Sequence, residues 1–388
     1  MKQQLNRRKL AALLQAEDIE KLSIPDLVTL FREEKGMDDL LPDGFYEIDP
    51  RNGDRIIYNS SRGRRPHDNR PAMDSVPNPA AECIICQGKT TGIIDATELS
   101  EGFTFINKNL FPVLYPFDAE YSDQMRKTTR RPAYGFHFLQ WTSSIHDIDW
   151  RDLPLADGLI VMSRLAALEE KLVSGAVSRA LKREDRDDQS DHLGHVLITK
   201  NAGYLVGGSL AHDHQQIAFS NVMPRSFRDN QRFEEKNGEV FSSYLLSTNR
   251  PQLTIKDYGP ACLLVPYFMR RPYDMMLVLM DTDKQYLHQL NEQELMAVVE
   301  GWRDAIRAIC SIMPAIGREI AYNVVTHNGP GTGLAFEFLP YTQETGGFEH
   351  LGLIVCQADP DQAAVRLREV IDSQDLASSR AFRNRSTS

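Results

Sequence analysis

The stretch TKNAGYLVGGSLAHDHQQIAF, residues 199–219, decides how this chain is read. Its first residues close HVLITKNAG, a run from His195 whose texture predicts a strand. Gly203, Gly207 and Gly208 follow as a turn, where the missing Cβ atoms let backbone N–H groups approach an anion closely. His212, His214 and Gln216 then alternate, so a strand through them would set two imidazoles and a carboxamide on one face. An imidazole nitrogen is a competent nucleophile towards phosphorus at neutral pH, because a neutral fraction exists near its ordinary pKa of about 6.5. A positioned carboxamide can donate to phosphoryl oxygens as their charge develops. The bland alternative for His212 and His214, a pair of satisfied core or surface histidines, is weakened by the glycine turn before them and Gln216 after them.

Working outward, the same rhythm recurs in the second half. Thr199, Asn201 and Gly203 ahead of Gly207-Gly208 and HDHQQI are echoed by Thr326, Asn328 and Gly329 ahead of Gly331, Gly333 and LAFEF. This points to an internal duplication of roughly 150 residues per copy, with histidines kept in one copy, and hence to asymmetric halves with one working site. Strands are expected at 136–144, CLLVPYF, YDMMLVLMD and 319–327, and amphipathic helices at 155–184, 291–313 and 360–373. A β-hairpin is expected around Asn52-Gly53, and residues 5–34 form a helical appendage broken at Ser23-Ile24-Pro25. Hairpin signals without regular βαβ alternation make the fold class α+β, with mostly antiparallel sheets and helices packed on one face. The expected division is a helical extension over 1–44, a first lobe over 45–235 and a second, degenerate lobe over 236–388.

Composition narrows the function classes. The 388 residues are long enough for two or more lobes, and 41% hydrophobic with 25% charged residues is the balance of an ordinary globular protein. A net charge of -10 gives no overall basic field for nucleic acid or an anionic membrane. No apolar run approaches the ~18 residues of a membrane span, and the charged N-terminus does not look like a signal peptide, so a cytoplasmic location is expected. Of five cysteines only Cys83 and Cys86 are close in sequence; in a reducing compartment such a pair is a metal half-site or a redox pair more often than a disulfide.

Several further segments occur in an order that can be compared with a known family: RGRRPHD (62–68), CIICQG (83–88), NLFPVL (109–114), AYNVVTHNGP (321–330) and TGGFEHLGLIVCQADPDQAAVRLREV (345–370). Together with GGSLAHDHQQ they resemble the galactose-1-phosphate uridylyltransferase branch of the histidine-triad superfamily, over about residues 45–372. The resemblance implies two histidine-triad-like lobes and a nucleotidyltransferase acting on nucleoside diphosphate sugars and sugar 1-phosphates. It makes His214 the nucleophile of a covalent nucleotidyl-histidine, with Gln216 and Ser209 on the phosphoryl oxygens and Asn201 near the same phosphates. It offers Arg62, Arg64 and Arg65 for the pyrophosphate, Asn109 and Phe111 for the nucleoside, and Glu349 for a sugar hydroxyl. It also implies one structural zinc site, iron not being excluded, of Cys83 and Cys86 completed by His146 and His212; His137 is the rival for the third position. A homodimer is expected by resemblance, with a nucleotide sugar and a sugar 1-phosphate or phosphate as small-molecule partners.

Departures from the family pattern matter equally. Where family members often carry a second H-x-H, this chain reads Gly333-Leu334-Ala335-Phe336-Glu337, so a second metal site is not expected. Asp213 replaces the usual Pro between the two histidines, either acting on an imidazole or pointing to the opposite face. The altered second lobe keeps two alternatives in play: an ADP-sugar or dinucleoside polyphosphate phosphorylase using the same histidine, and a catalytically silent, zinc-stabilised nucleotide-binding protein.

Overall fold

The computed structural model describes residues 4–33, 40–50, 52–64, 83–117, 119–127, 130–180 and 194–385. Thirteen strands occur in chain order among them. β1 (Phe45–Ile48) and β2 (Arg55–Ile57) form the hairpin expected around Asn52-Gly53, and Gly53 takes a φ of 74° there. The first half of the main sheet is β3 (Ile93–Glu98), β4 (Phe103–Lys108), β6 (Gly135–Trp141), β7 (His195–Ala202) and β8 (His214–Ser220). β5 (Arg131–Pro132) joins the small hairpin sheet instead. The second half is β9 (Thr254–Asp257), β10 (Ala261–Leu264), β11 (Met275–Leu279), β12 (Tyr322–His327) and β13 (Ala335–Pro340).

All ten strands form one sheet in the order β3-β4-β6-β8-β7-β12-β13-β11-β10-β9, every pairing antiparallel. Taken by chain order, each half runs first, second, third, fifth, fourth, with one long helix between its third and fourth strands. Those helices are Leu155–Ala180 and Glu292–Ala315, close to the expected 155–184 and 291–313. The α+β expectation therefore holds. The two halves share a single sheet, however, because β7 and β12 pair from Tyr322↔Ala202 to Val325↔Thr199.

The helices cover one sheet face. Val196, Ile198 and Lys200 of β7 and Tyr322, Val324 and Thr326 of β12 are buried beneath them, while the intervening residues of both strands are half-buried on the other face. Trp150 and Trp302 meet in this layer with ring centroids 5.2 Å apart. The Glu292–Ala315 helix starts with a reciprocal cap: Asn291 Oδ1 accepts from the Glu294 N–H at 3.0 Å, and the Glu294 carboxylate accepts from the Asn291 N–H at 2.8 Å.

The N-terminal appendage is part of this core. Ser23 caps the Ile24–Arg32 helix in a capping box with Asp26, with Pro25 in its first turn, as the Ser-Ile-Pro sequence predicts. Phe31 then packs edge-on against Phe136 and Phe138 at 5.4 and 5.3 Å. A buried side chain of this size contributes about 1.5–3 kcal/mol. Sequence patterning missed β9 and the helices Arg225–Asn237 and Phe241–Thr248, which are polar or short and lack a sustained apolar period. The last helix, Pro360–Arg385, extends past its expected end. The Pro-rich residues 71–80 and the polar run 184–192 lie outside the described residues.

Candidate active site and metal centre

Two clusters flank the start of β8. The turn that delivers it needs its glycines: Gly207 has a φ of 86°, and a Cβ on Gly208 would come within 2.7 Å of the Gly203 carbonyl oxygen. The strand begins at His214 and not earlier, so His212 lies just before it. This corrects the expectation of two imidazoles sharing one strand face. Both rings pack on Trp141, with centroids 5.5 Å from His212 and 4.9 Å from His214, but their polar partners differ.

His212 joins Cys83, Cys86 and His146, four buried residues whose ligand atoms all lie within 4.8 Å of one another. His212 Nδ1 is 3.8 Å from Cys83 Sγ and 3.5 Å from Cys86 Sγ, and His146 Nδ1 is 3.6 Å from Cys86 Sγ. A tetrahedral ion with metal–sulfur and metal–nitrogen bonds of about 2.3 and 2.0–2.1 Å requires sulfur–nitrogen edges of about 3.5 Å. The donor set therefore fits a tetrahedral metal such as zinc. His212 Nε2 donates to the Ser143 carbonyl at 2.7 Å, which assigns Nδ1 to the metal side of the ring. Burial would raise the Cys83 thiol, but hydrogen bonds to His146 and His212 outweigh it and bring the pKa to about 5, favouring the thiolate a metal needs.

The N-terminal segment closes over this cluster. Gln4 bridges to Ile145, the Leu5 N–H donates to the Ser144 carbonyl at 2.9 Å, and Leu5 and Leu10 are buried in one apolar cluster with Cys83, Ile85 and Cys86. Deleting residues 1–16 is expected to weaken metal retention about 10–100-fold, the range for loss of supporting shell contacts. Chelator competition followed with a metal-responsive dye checks this; unchanged retention would mean that the strap is dispensable.

Trp141 also lines a cleft of about 680 Å³, open to solvent, whose walls include His214, Gln216, Ser209, Gly207, Arg62, Asn109 and Phe111. Asn107, Lys89, Thr90, Leu139 and Trp141 complete much of its floor and rim. His214 Nδ1 donates to the His212 carbonyl at 2.9 Å, so the tautomer that satisfies this bond leaves Nε2 as the unprotonated nitrogen of the neutral ring. Arg62 is held with its Nη1 donating to the Phe111 carbonyl at 3.1 Å.

Of the residues singled out from sequence, the structure thus brings His214, Gln216, Ser209, Arg62, Asn109 and Phe111 to one cleft. Arg64 is exposed and not among the cleft residues, and Arg65 lies outside the described residues. Asn201 is near the glycine turn but its Oδ1 accepts from Asn323 Nδ2 at 2.8 Å across the β7–β12 seam. Glu349 is not among the cleft residues: it caps its own turn, accepting from the Gly346 N–H at 2.8 Å. His146, not His137, stands at the metal cluster.

Asp213 points to the opposite face, where it pairs with Lys200, a fully buried lysine that also lies 3.4 Å from Asp149; Asp149 in turn accepts from the Tyr322 hydroxyl at 3.1 Å. Burial and repulsion from Asp149 push Asp213 up to about 6, whereas the two carboxylates overcome the effect of burial on Lys200 and hold it cationic. The network ties the His212–His214 segment, the loop after His146 and the second half together. Lys200→Met would leave the half-buried Asp149 and Asp213 carboxylates without the cation between them, and a loss of about 2–3 kcal/mol is expected in urea denaturation. A loss under ~1 kcal/mol would show that the network contributes little.

The ten-stranded antiparallel sheet and its covering helices give the chain the fold of solved uridylyltransferases. A solved uridylyltransferase aligns with a TM-score of 0.61 at 17% identity, over 85% of this chain and 99% of that one. ADP-glucose phosphorylase from Arabidopsis thaliana with bound ADP-glucose aligns with a TM-score of 0.59 at 17% identity, over 84% of this chain and 98% of that one. In sequence, ADP-glucose phosphorylase of Arabidopsis thaliana is 21% identical over 348 residues, 83% of this chain and 92% of the relative. No family model matches the chain. No helix among the described residues is long and apolar enough to cross a membrane.

Proposed function

We propose that this chain is a nucleotidyltransferase that works by double displacement on nucleoside diphosphate sugars. The observation that carries the reading is His214 on the cleft wall with Nδ1 bonded to the His212 carbonyl, beside Gln216, Ser209 and Arg62. In the first half-reaction His214 Nε2 attacks the α-phosphorus; a nitrogen–phosphorus bond forms, the bond to the bridging oxygen breaks, and sugar 1-phosphate leaves with that electron pair. Gln216 and Ser209 donate to the non-bridging oxygens, and Arg62 offsets charge on the departing phosphate. Asn109 and Phe111 line the nucleoside end. In the second half-reaction an oxygen of sugar 1-phosphate or inorganic phosphate attacks the same phosphorus and regenerates His214.

A structural zinc held by Cys83, Cys86, His146 and His212 belongs to the same reading; when bound it pins the cysteine loop to the segment that carries the nucleophile. Two base and acceptor combinations are supported by relatives: a uridylyltransferase and an ADP-glucose phosphorylase share the fold, and the curated relative is the second of these. A homodimer in the cytoplasm completes the reading. Exposed Phe348, Leu351, Leu353, Ile354 and Val355 supply an apolar surface that a second copy would cover, and sedimentation velocity measures it.

The test is to incubate UDP-glucose and ADP-glucose separately, each with galactose 1-phosphate or inorganic phosphate, and follow products by phosphorus NMR. Release of glucose 1-phosphate with one base and one acceptor is expected. Tight nucleotide binding without turnover in any combination would favour a silent binding protein and overturn the reading.

A further inference from the structure

His137, the rival to His146 for the third metal position, stands away from the Cys2His2 cluster, and its actual surroundings give it other work. It sits on β6, in the register His137↔Ala218, which places it diagonally across the strand pair from Gln216. It is buried, with 2% of its surface exposed, so its ring nitrogens must be served by protein groups. The Val113 N–H donates to Nδ1 at 3.0 Å. A backbone N–H has only the donor role, so Nδ1 is the acceptor and the proton of the neutral ring is on Nε2. Nε2 lies 3.2 Å from Gln216 Oε1 and therefore donates to it. Asn109 braces the assembly: its Oδ1 accepts from the Phe111 N–H at 2.9 Å, and its Nδ2 lies 3.4 Å from both ring nitrogens.

The direction of this relay settles how the Gln216 carboxamide is turned. With its oxygen claimed by His137, the NH2 group is the end presented to the cleft. The opposite rotamer would set an oxygen against phosphoryl oxygens and an NH2 against an N–H. We propose that His137 is a positioning residue for transfer: held as the Nε2–H tautomer by the Val113 amide, it locks Gln216 with its NH2 aimed at the phosphoryl oxygens. The inference rests on the reading of His214 as the nucleophile and adds a residue and a hydrogen-bond polarity to it. Only proton donors and acceptors are arranged here; no bond to substrate involves His137.

The decisive experiment is a double-mutant cycle on the first half-reaction, timed by quenched mass spectrometry of the nucleotide adduct after mixing with whichever of UDP-glucose and ADP-glucose labels the native chain. Nucleotide affinity is measured in parallel by calorimetry with UMP and AMP. His137→Leu is expected to slow adduct formation about 100-fold, near the cost of losing one oriented donor, with nucleotide affinity changed less than about threefold. In the Gln216→Ala background the same change is expected to cost less than about threefold, because nothing remains to be oriented. His137→Gln, whose amide nitrogen reaches the position of Nε2, is expected to recover most of the rate, and it serves as the folded comparison if the leucine variant is unstable. Equal losses from His137→Leu in both backgrounds, or no recovery by glutamine over leucine, would overturn the relay. A native chain that never labels would instead overturn the transfer reading, and this inference with it.

Discussion

His214→Ala is expected to abolish covalent nucleotide capture and to lower turnover by about 10⁵-fold or more, the scale on which removal of a nucleophile is felt. The side chain donates to the His212 carbonyl and packs on Trp141. The sheet around it is built by β6 and β7, whose pairings with β8 run through backbone groups that alanine keeps. Stability should therefore fall by no more than about 1–3 kcal/mol, the usual range for a single substitution. Circular dichroism with steady-state assays separates the two effects. Retained turnover in a folded variant would remove His214 from the nucleophile role.

Loss of the metal centre should be the other large effect, and of a different kind. Cys86 Sγ lies within 3.6 Å of both His146 Nδ1 and His212 Nδ1, so Cys86→Ser removes the sulfur that stands against both imidazoles. Structural zinc sites in small peptides are worth about 10–16 kcal/mol at neutral pH. Here only the share spent on fixing the cysteine loop against the segments that follow β6 and precede β8 is at stake, and a fall in Tm of about 10 °C or more is expected on chelation or in Cys86→Ser. Activity should fall with it, because Ile84, Ile85, Lys89 and Thr90 of the same loop wall the cleft and His212 is two residues from His214. Metal analysis, calorimetry and assay on the same sample check the link. Full activity in protein shown to contain no metal would contradict it.

Much of this was legible because alternation and glycine punctuation act locally. HVLITKNAG and FHFLQWTSS form β7 and β6 where their texture places strands, and Ser23-Ile24-Pro25 starts a helix with the cap its residue types predict. The Cys2His2 set came from resemblance, and the fold brings its four members together from three separate loops. What local patterning does not carry is pairing between distant strands. The joining of β7 to β12 into one sheet, the burial of Lys200 between Asp149 and Asp213, and the diagonal placement of His137 beside Gln216 all depend on register across segments many residues apart. Asp213 illustrates the limit well: the sequence left open whether it acts on an imidazole or points away, and only the fold supplies Lys200 as its partner. Glu349 shows the converse, since a motif residue can spend its carboxylate on capping its own turn.

The central claim, that His214 becomes covalently nucleotidylated, is tested most directly by the intact mass of the purified chain. It is mixed in separate tubes with UDP-glucose, ADP-glucose and a GDP-sugar, without acceptor, with His214→Ala as control. A mass gain equal to one nucleoside monophosphate is expected with one of these donors, absent in the control, lost on adding the acceptor and naming the base at once. No gain with any donor, in protein that holds its metal, would contradict it.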